Sequence, residues 1–144
     1  MVFALIAILA AGLFAGASLY INLVEHPARV ECGTELAVKE FAPSYRRATV
    51  MQAGLAALGL LSGIAAWLRL GHAALLIGGI LLGAVIPFTF VAILPTNKRL
   101  LDPGVTWDLE TAARLLSRWQ RLHAVRTVLS LAAFGLLTWC MLAV

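Results

Sequence analysis

Four long apolar runs, at residues 2–24, 48–70, 73–94 and 124–144, are divided by two polar stretches and one short turn. Each run reaches the roughly 20 residues that a helix needs to cross a bilayer core, so the pattern predicts four transmembrane helices. The first begins directly after Met1, lacks a basic n-region and is longer than a signal-peptide core, which reads as a retained helix. Before the fourth run the period changes. Ala112, Leu115, Leu116, Trp119, Leu122, His123 and Arg126 fall on one helical face by their i, i+3, i+4, i+7 spacing, while Arg114, Arg118 and Arg121 fall on another. Thr106 is a candidate N-cap for this piece, and Asp108 and Glu110 suit the positive end of its dipole. The expectation is an amphipathic helix that lies at the interface or runs straight into the fourth span, its arginines facing solvent or lipid phosphate. The fold class is therefore all-α integral membrane: a four-transmembrane-helix bundle with an amphipathic helical extension before the fourth span, in one domain over residues 1–144.

Local signals place the helix boundaries. Pro43-Ser44 predicts the start of the second span, with proline in the first turn or serine as N-cap. Gly71 predicts its left-handed end. Gly12-x-x-x-Gly16, Gly59-x-x-x-Gly63 and Gly79-x-x-x-Gly83 occupy three spans. In lipid, such small residues mark faces where backbones approach closely. Pro87 cannot donate to the carbonyl of Gly83, so a kink is expected, with Thr89 absorbing part of the loss and a cavity favoured beside it.

Composition agrees with the pattern: 62% of the residues are hydrophobic and 12% charged, against roughly 45–50% and 25% in soluble domains. Charge adds the orientation. All 7 acidic residues and 10 of the 11 basic ones lie in segments 25–47 and 98–126, Arg69 being the exception. By the positive-inside rule those segments are cytoplasmic and both termini outside. The net charge of +4 follows from orientation and gives no reason to expect nucleic acid as a partner. Cys32 and Cys140 fall on opposite sides and cannot pair. Without a Cys-x-x-Cys, a thiol oxidoreductase is disfavoured.

The candidate chemistry lies at three helix ends on one membrane side: Glu25-His26-Pro27-Ala28-Arg29, Pro95-Thr96-Asn97-Lys98-Arg99, and Trp119 through Arg126. If they meet, they form a polar pocket at the rim of the bundle. His123 is a candidate general base, because a neutral imidazole can take a proton. Asn97 and Arg126 can stabilise a developing oxyanion. Trp119 offers a flat face to an aromatic ligand, with His26 and Thr96 beside it. Glu25 and Arg29 stand behind, Glu25 as the expected partner of Arg126; Asn22, one turn before His26, either orients that ring or makes a plain interhelical hydrogen bond. The bland alternatives are a helix-to-helix brace for Arg126 and Glu25, and an interfacial belt role for Trp119. His26 and His123 could instead ligate a metal or haem, although two ligands are few for zinc. No cofactor is otherwise predicted. A non-enzymatic membrane subunit or small transporter is a third reading, weakened by the lack of an inverted repeat.

These motifs, in this order and at these helix ends, resemble a family of small four-helix membrane proteins that includes the anthrone oxygenases. The resemblance rests on Glu25-His26-Pro27-Ala28-Arg29, on Pro87-Phe88-Thr89 leading to Pro95-Thr96-Asn97, and on Trp119-x-x-Leu122-His123-x-x-Arg126-x-x-Leu129. It implies a monooxygenase that converts an activated methylene of a tricyclic phenol to a carbonyl with molecular oxygen and no known organic cofactor. In that scheme His123 deprotonates the substrate, Asn97 and Arg126 stabilise the enolate, and Trp119 stacks on it. The expected partners are a lipophilic aromatic or quinol-like molecule and the bilayer, with an oligomer possible.

Overall fold

A computed structural model describes residues 1–104 and 108–143. Four long helices account for nearly all of it: α1 (Val2–Glu31), α2 (Thr34–Leu70), α3 (Ala73–Leu100) and α4 (Leu109–Leu142). No strand occurs among the described residues. All four are apolar and long enough to span a bilayer, which makes the chain a multi-pass integral membrane protein. Each helix packs on its neighbours in the chain, and α4 closes the square against α1. Leu9, Leu61, Val91 and Val128 point outward and are more than half exposed, as a lipid-facing surface requires.

Two of the helices are longer than a span needs. α2 has 37 residues and α4 has 34, so at 1.5 Å per residue each exceeds about 50 Å. The second helix does not start at Pro43-Ser44, as the sequence suggests. It starts at Thr34, after Gly33 with φ +98°, and Pro43 lies inside it. A cluster of Ala37, Val38 and Phe41 packing on Ala112, Leu115, Leu116 and Trp119 holds this extra length in place, and tertiary burial outweighs one lost backbone hydrogen bond. The amphipathic segment likewise runs without a break into the fourth span. Its predicted face is turned inward, while Arg114, Arg118 and Arg121 are exposed. Thr106 lies outside the described residues. The N-cap seen is Asp108, which accepts from the Thr111 N–H at 2.9 Å, and hydrogen bonds from Thr111 hold its carboxyl below the usual carboxylate range.

The glycine expectation holds for α2 and α3. A Cβ on Gly63 would lie 2.8 Å from the Gly79 Cα, so only glycine permits this approach. Gly12 meets the Phe134 ring, but Gly16 faces open space and packs on nothing. Gly71 ends α2 with φ +76°, and its N–H bonds the Trp67 carbonyl.

Three proline-linked irregularities shape the helices near the polar end. Over Ile21–Glu25 and Thr89–Ile93 the backbone widens into a π turn, with the N–H of His26 bonding Ile21 and that of Leu94 bonding Thr89, five residues back. Each π turn ends two residues before a proline, Pro27 or Pro95. A proline ring clashes with the carbonyl four residues earlier, and a wider turn relieves that clash. Around Pro87, α3 is interrupted at Ala84, and Thr89 donates its hydroxyl to the Val85 carbonyl at 2.6 Å.

Candidate active site

The polar residues form a layer between two apolar clusters. On the far side lie Ala7, Phe14, Ala56, Leu82 and Leu137; on the near side lie Phe41, Ile93, Leu116 and Trp119. The sequence suggests a pocket at the rim of the bundle. The structure instead roofs that pocket with the helical extensions of α2 and α4, because their apolar faces need a partner. Burial follows: His26, Asn97 and His123 are each about 1% exposed and Thr96 2%, and buried polar groups of this kind need partners inside the protein.

Trp119 is the hub. Its indole stacks on His123 at 4.7 Å between centroids, tilts against His26 at 5.1 Å and meets Phe41 edge-on at 5.4 Å. The π turn of α1 presents Asn22 to the fourth helix, where its Oδ1 accepts from His123 Nδ1 at 2.5 Å. Nδ1 therefore carries the proton, and Nε2 is the basic nitrogen. Arg126 donates from Nη2 to Gln52 Oε1 at 2.8 Å and lies over the Phe14 ring at 5.3 Å.

His123, Arg126, Asn97, Trp119, Gln52 and Tyr45 are among the residues around a chamber of about 20 Å³. That is room for about one water molecule. Among the described residues, several polar atoms at this layer have no hydrogen-bond partner: Asn97 Oδ1, Gln52 Nε2 and Arg126 Nε. An unsatisfied buried group costs about 1–3 kcal/mol, and such groups gather where a ligand or water is to be met. The set includes donors (Gln52, Arg126) and an acceptor (Asn97), so it can bind an oxygen and a hydroxyl at once.

A second group braces α1 to α2. Arg29 donates to Glu25 and to Ser44 Oγ at 3.2 Å, and its Nε meets Glu40 Oε2 at 2.5 Å. Ser44 in turn donates to Glu25 at 2.7 Å.

The structure thus gathers His123, Asn97, Arg126 and Trp119 around one chamber, with Glu25 and Arg29 on its wall. His26 and Thr96 are buried nearby but do not line it. One expected pairing is replaced: Arg126 takes Gln52 rather than Glu25, because Arg29 already holds the glutamate. Of the two readings of Asn22, the interhelical hydrogen bond is the one seen, to His123 on α4. Among the described residues no three His, Cys, Asp or Glu side chains converge as a metal site, and Nδ1 of His123 is already engaged. The second helix supplies Phe41, Ser44, Tyr45 and Gln52, none of which the sequence marks as part of a site. Gln52 carries a visible signal all the same: it is an amide inside an apolar span, and polar groups at membrane depth are expensive.

No curated protein and no solved structure matches the chain. The family model for anthrone oxygenase matches residues 41–136. That match takes in Gln52, Asn97, Trp119, His123 and Arg126, and leaves the Glu25-His26-Pro27-Ala28-Arg29 motif outside. It spans two thirds of the sequence, and this chain belongs to the anthrone oxygenase family.

Proposed function

We propose that the protein is a membrane-embedded oxygenase that oxidises an activated methylene of a lipophilic aromatic or quinol-like molecule with O2. The observation that carries this reading is the fixed tautomer of His123: Asn22 engages Nδ1 at 2.5 Å, leaving Nε2 as a base at a chamber with oxyanion donors. His123 removes a proton from the methylene, and Arg126 and Gln52 stabilise the negative oxygen of the resulting enolate. Trp119 supports the ring. The carbanion gives its electrons to O2 to form a C–O bond, and His123 returns the proton to yield a hydroperoxide. Loss of water then leaves the ketone. In balance, the methylene and O2 become the ketone and water, with O2 as the sole oxidant. One of its atoms stays in the new carbonyl and the other leaves in the water, together with both methylene hydrogens. The charged end, where Glu40, Lys98 and Arg118 lie, is assigned to the cytoplasm.

The test is oxygen uptake by purified protein given anthrone. The expected result is one O2 consumed per anthraquinone formed, above the rate without protein. No protein-dependent uptake or product, with anthrone bound, would remove this reaction from consideration.

A further inference from the structure

α2 and α3 are pinned together where Gly63 meets Gly79 and part towards the polar layer. There α3 carries the irregular backbone around Pro87 and the π turn at Thr89–Ile93. Between them is an annex of about 110 Å³, lined by Ala53, Ala56, Val85, Ile86 and Phe90 on its apolar sides. Its lip faces lipid, since Ala53 is exposed and Phe90 is 64% exposed.

Tyr45, Thr49, Gln52 and Arg126 border both the annex and the chamber. The hydrogen bond from Arg126 to Gln52 Oε1 lies at this shared wall. Gln52 is 2% exposed, yet among the described residues its Nε2 has no partner, and neither has Nε of Arg126. Both unsatisfied atoms are donors. A buried pair of free donors at the inner end of an apolar cavity selects a ligand that is apolar and bears an acceptor oxygen.

We propose that the annex is a ligand subsite fed sideways from the bilayer. It receives the rings of a lipophile on entry, with the carbonyl or phenolate oxygen accepting from Gln52 and Arg126, and release of the Gln52–Arg126 bond joins annex to chamber so that the ring then passes on to Trp119 and His123. This rests on the reading that such a lipophile reacts at His123, and it explains how a chamber the size of one water takes a larger molecule. Entry between helices also spares the ligand a passage through water.

The test is anthrone binding to the full chain in detergent, by calorimetric titration, with 9,10-dihydroanthracene as the analogue lacking oxygen. Wild type should bind anthrone saturably and dihydroanthracene at least tenfold more weakly. Ala53→Phe, which fills the lip from the lipid side, should weaken anthrone at least tenfold. Val91→Phe, on the neighbouring lipid-facing surface, should leave it within twofold. Ala53→Leu provides a milder second variant, expected to give an intermediate loss, and helical circular dichroism checks that both fold. Equal affinity in Ala53→Phe, Ala53→Leu and Val91→Phe would overturn the subsite, as would the absence of saturable anthrone binding to wild type. Turnover separates the two claims. If His123→Ala alone abolishes it while the Ala53 variants bind normally, the chamber stands and the annex falls; if the Ala53 variants lose binding but no protein-dependent oxidation occurs, the annex stands and the oxygenase reading falls.

Discussion

At the scale of single residues, the site depends on which nitrogen of His123 holds the proton. Asn22 fixes this by accepting from Nδ1, and it can do so because the π turn over Ile21–Glu25 points it across to α4. Replacing it removes the constraint without touching His123, the proposed base. Asn22→Ala should therefore lower kcat on the order of tenfold with KM within about twofold, because the chamber wall is unchanged. Steady-state kinetics decide the matter: a rise in KM at constant kcat would make Asn22 a binding residue. The histidine, amide, arginine and tryptophan at the helix ends are legible from residue type alone. Their pairings are not. Glu25 and Arg126 are both charged and share a membrane side, yet Glu25 is taken by Arg29 and Ser44, and Arg126 by a glutamine 74 positions away. Nothing in a one-dimensional pattern ranks partners that distant in sequence.

At the scale of elements, hydropathy shows the four spans and the inward face of the amphipathic segment, because burial and spacing are direct consequences of helical periodicity. The start of α2 escapes that pattern for a physical reason. A proline normally reads as a boundary, but Pro43 is carried inside a helix whose first turns gain a partner in α4. The two π turns share a cue, the proline at 27 and at 95, that is weak because most prolines bend helices in other ways. The glycine stripes are separable by packing. Gly63→Ala would bring a Cβ to 2.8 Å from Gly79 Cα and 2.9 Å from the Leu75 carbonyl, so overpacking should cost about 1–3 kcal/mol. Gly16→Ala meets nothing and should be neutral, or stabilising by roughly 0.5–1 kcal/mol from helix propensity. Thermal unfolding in detergent compares the two. Equal melting temperatures would show that the α2–α3 contact is looser than described.

At the scale of the whole molecule, a polar layer is enclosed between an apolar core of mostly small residues and a second core built from helix extensions, with a separate annex beside it between α2 and α3. The orientation can be read from a native reporter. Cys32 is exposed at the charged end and Cys140 is buried, so a membrane-impermeant maleimide should label inverted vesicles and spare sealed right-side-out cells. The opposite result would place the chamber on the outer side. The central claim is narrower: His123 takes a proton from the ligand before oxygen takes part. The most direct measurement is anaerobic loss of deuterium from methylene-deuterated anthrone, with wild type beside His123→Gln. Wild type should accelerate exchange with solvent, and the glutamine variant should fall by at least about a hundredfold while still binding anthrone. Exchange at the wild-type rate in His123→Gln would contradict the account and move the base elsewhere in the layer.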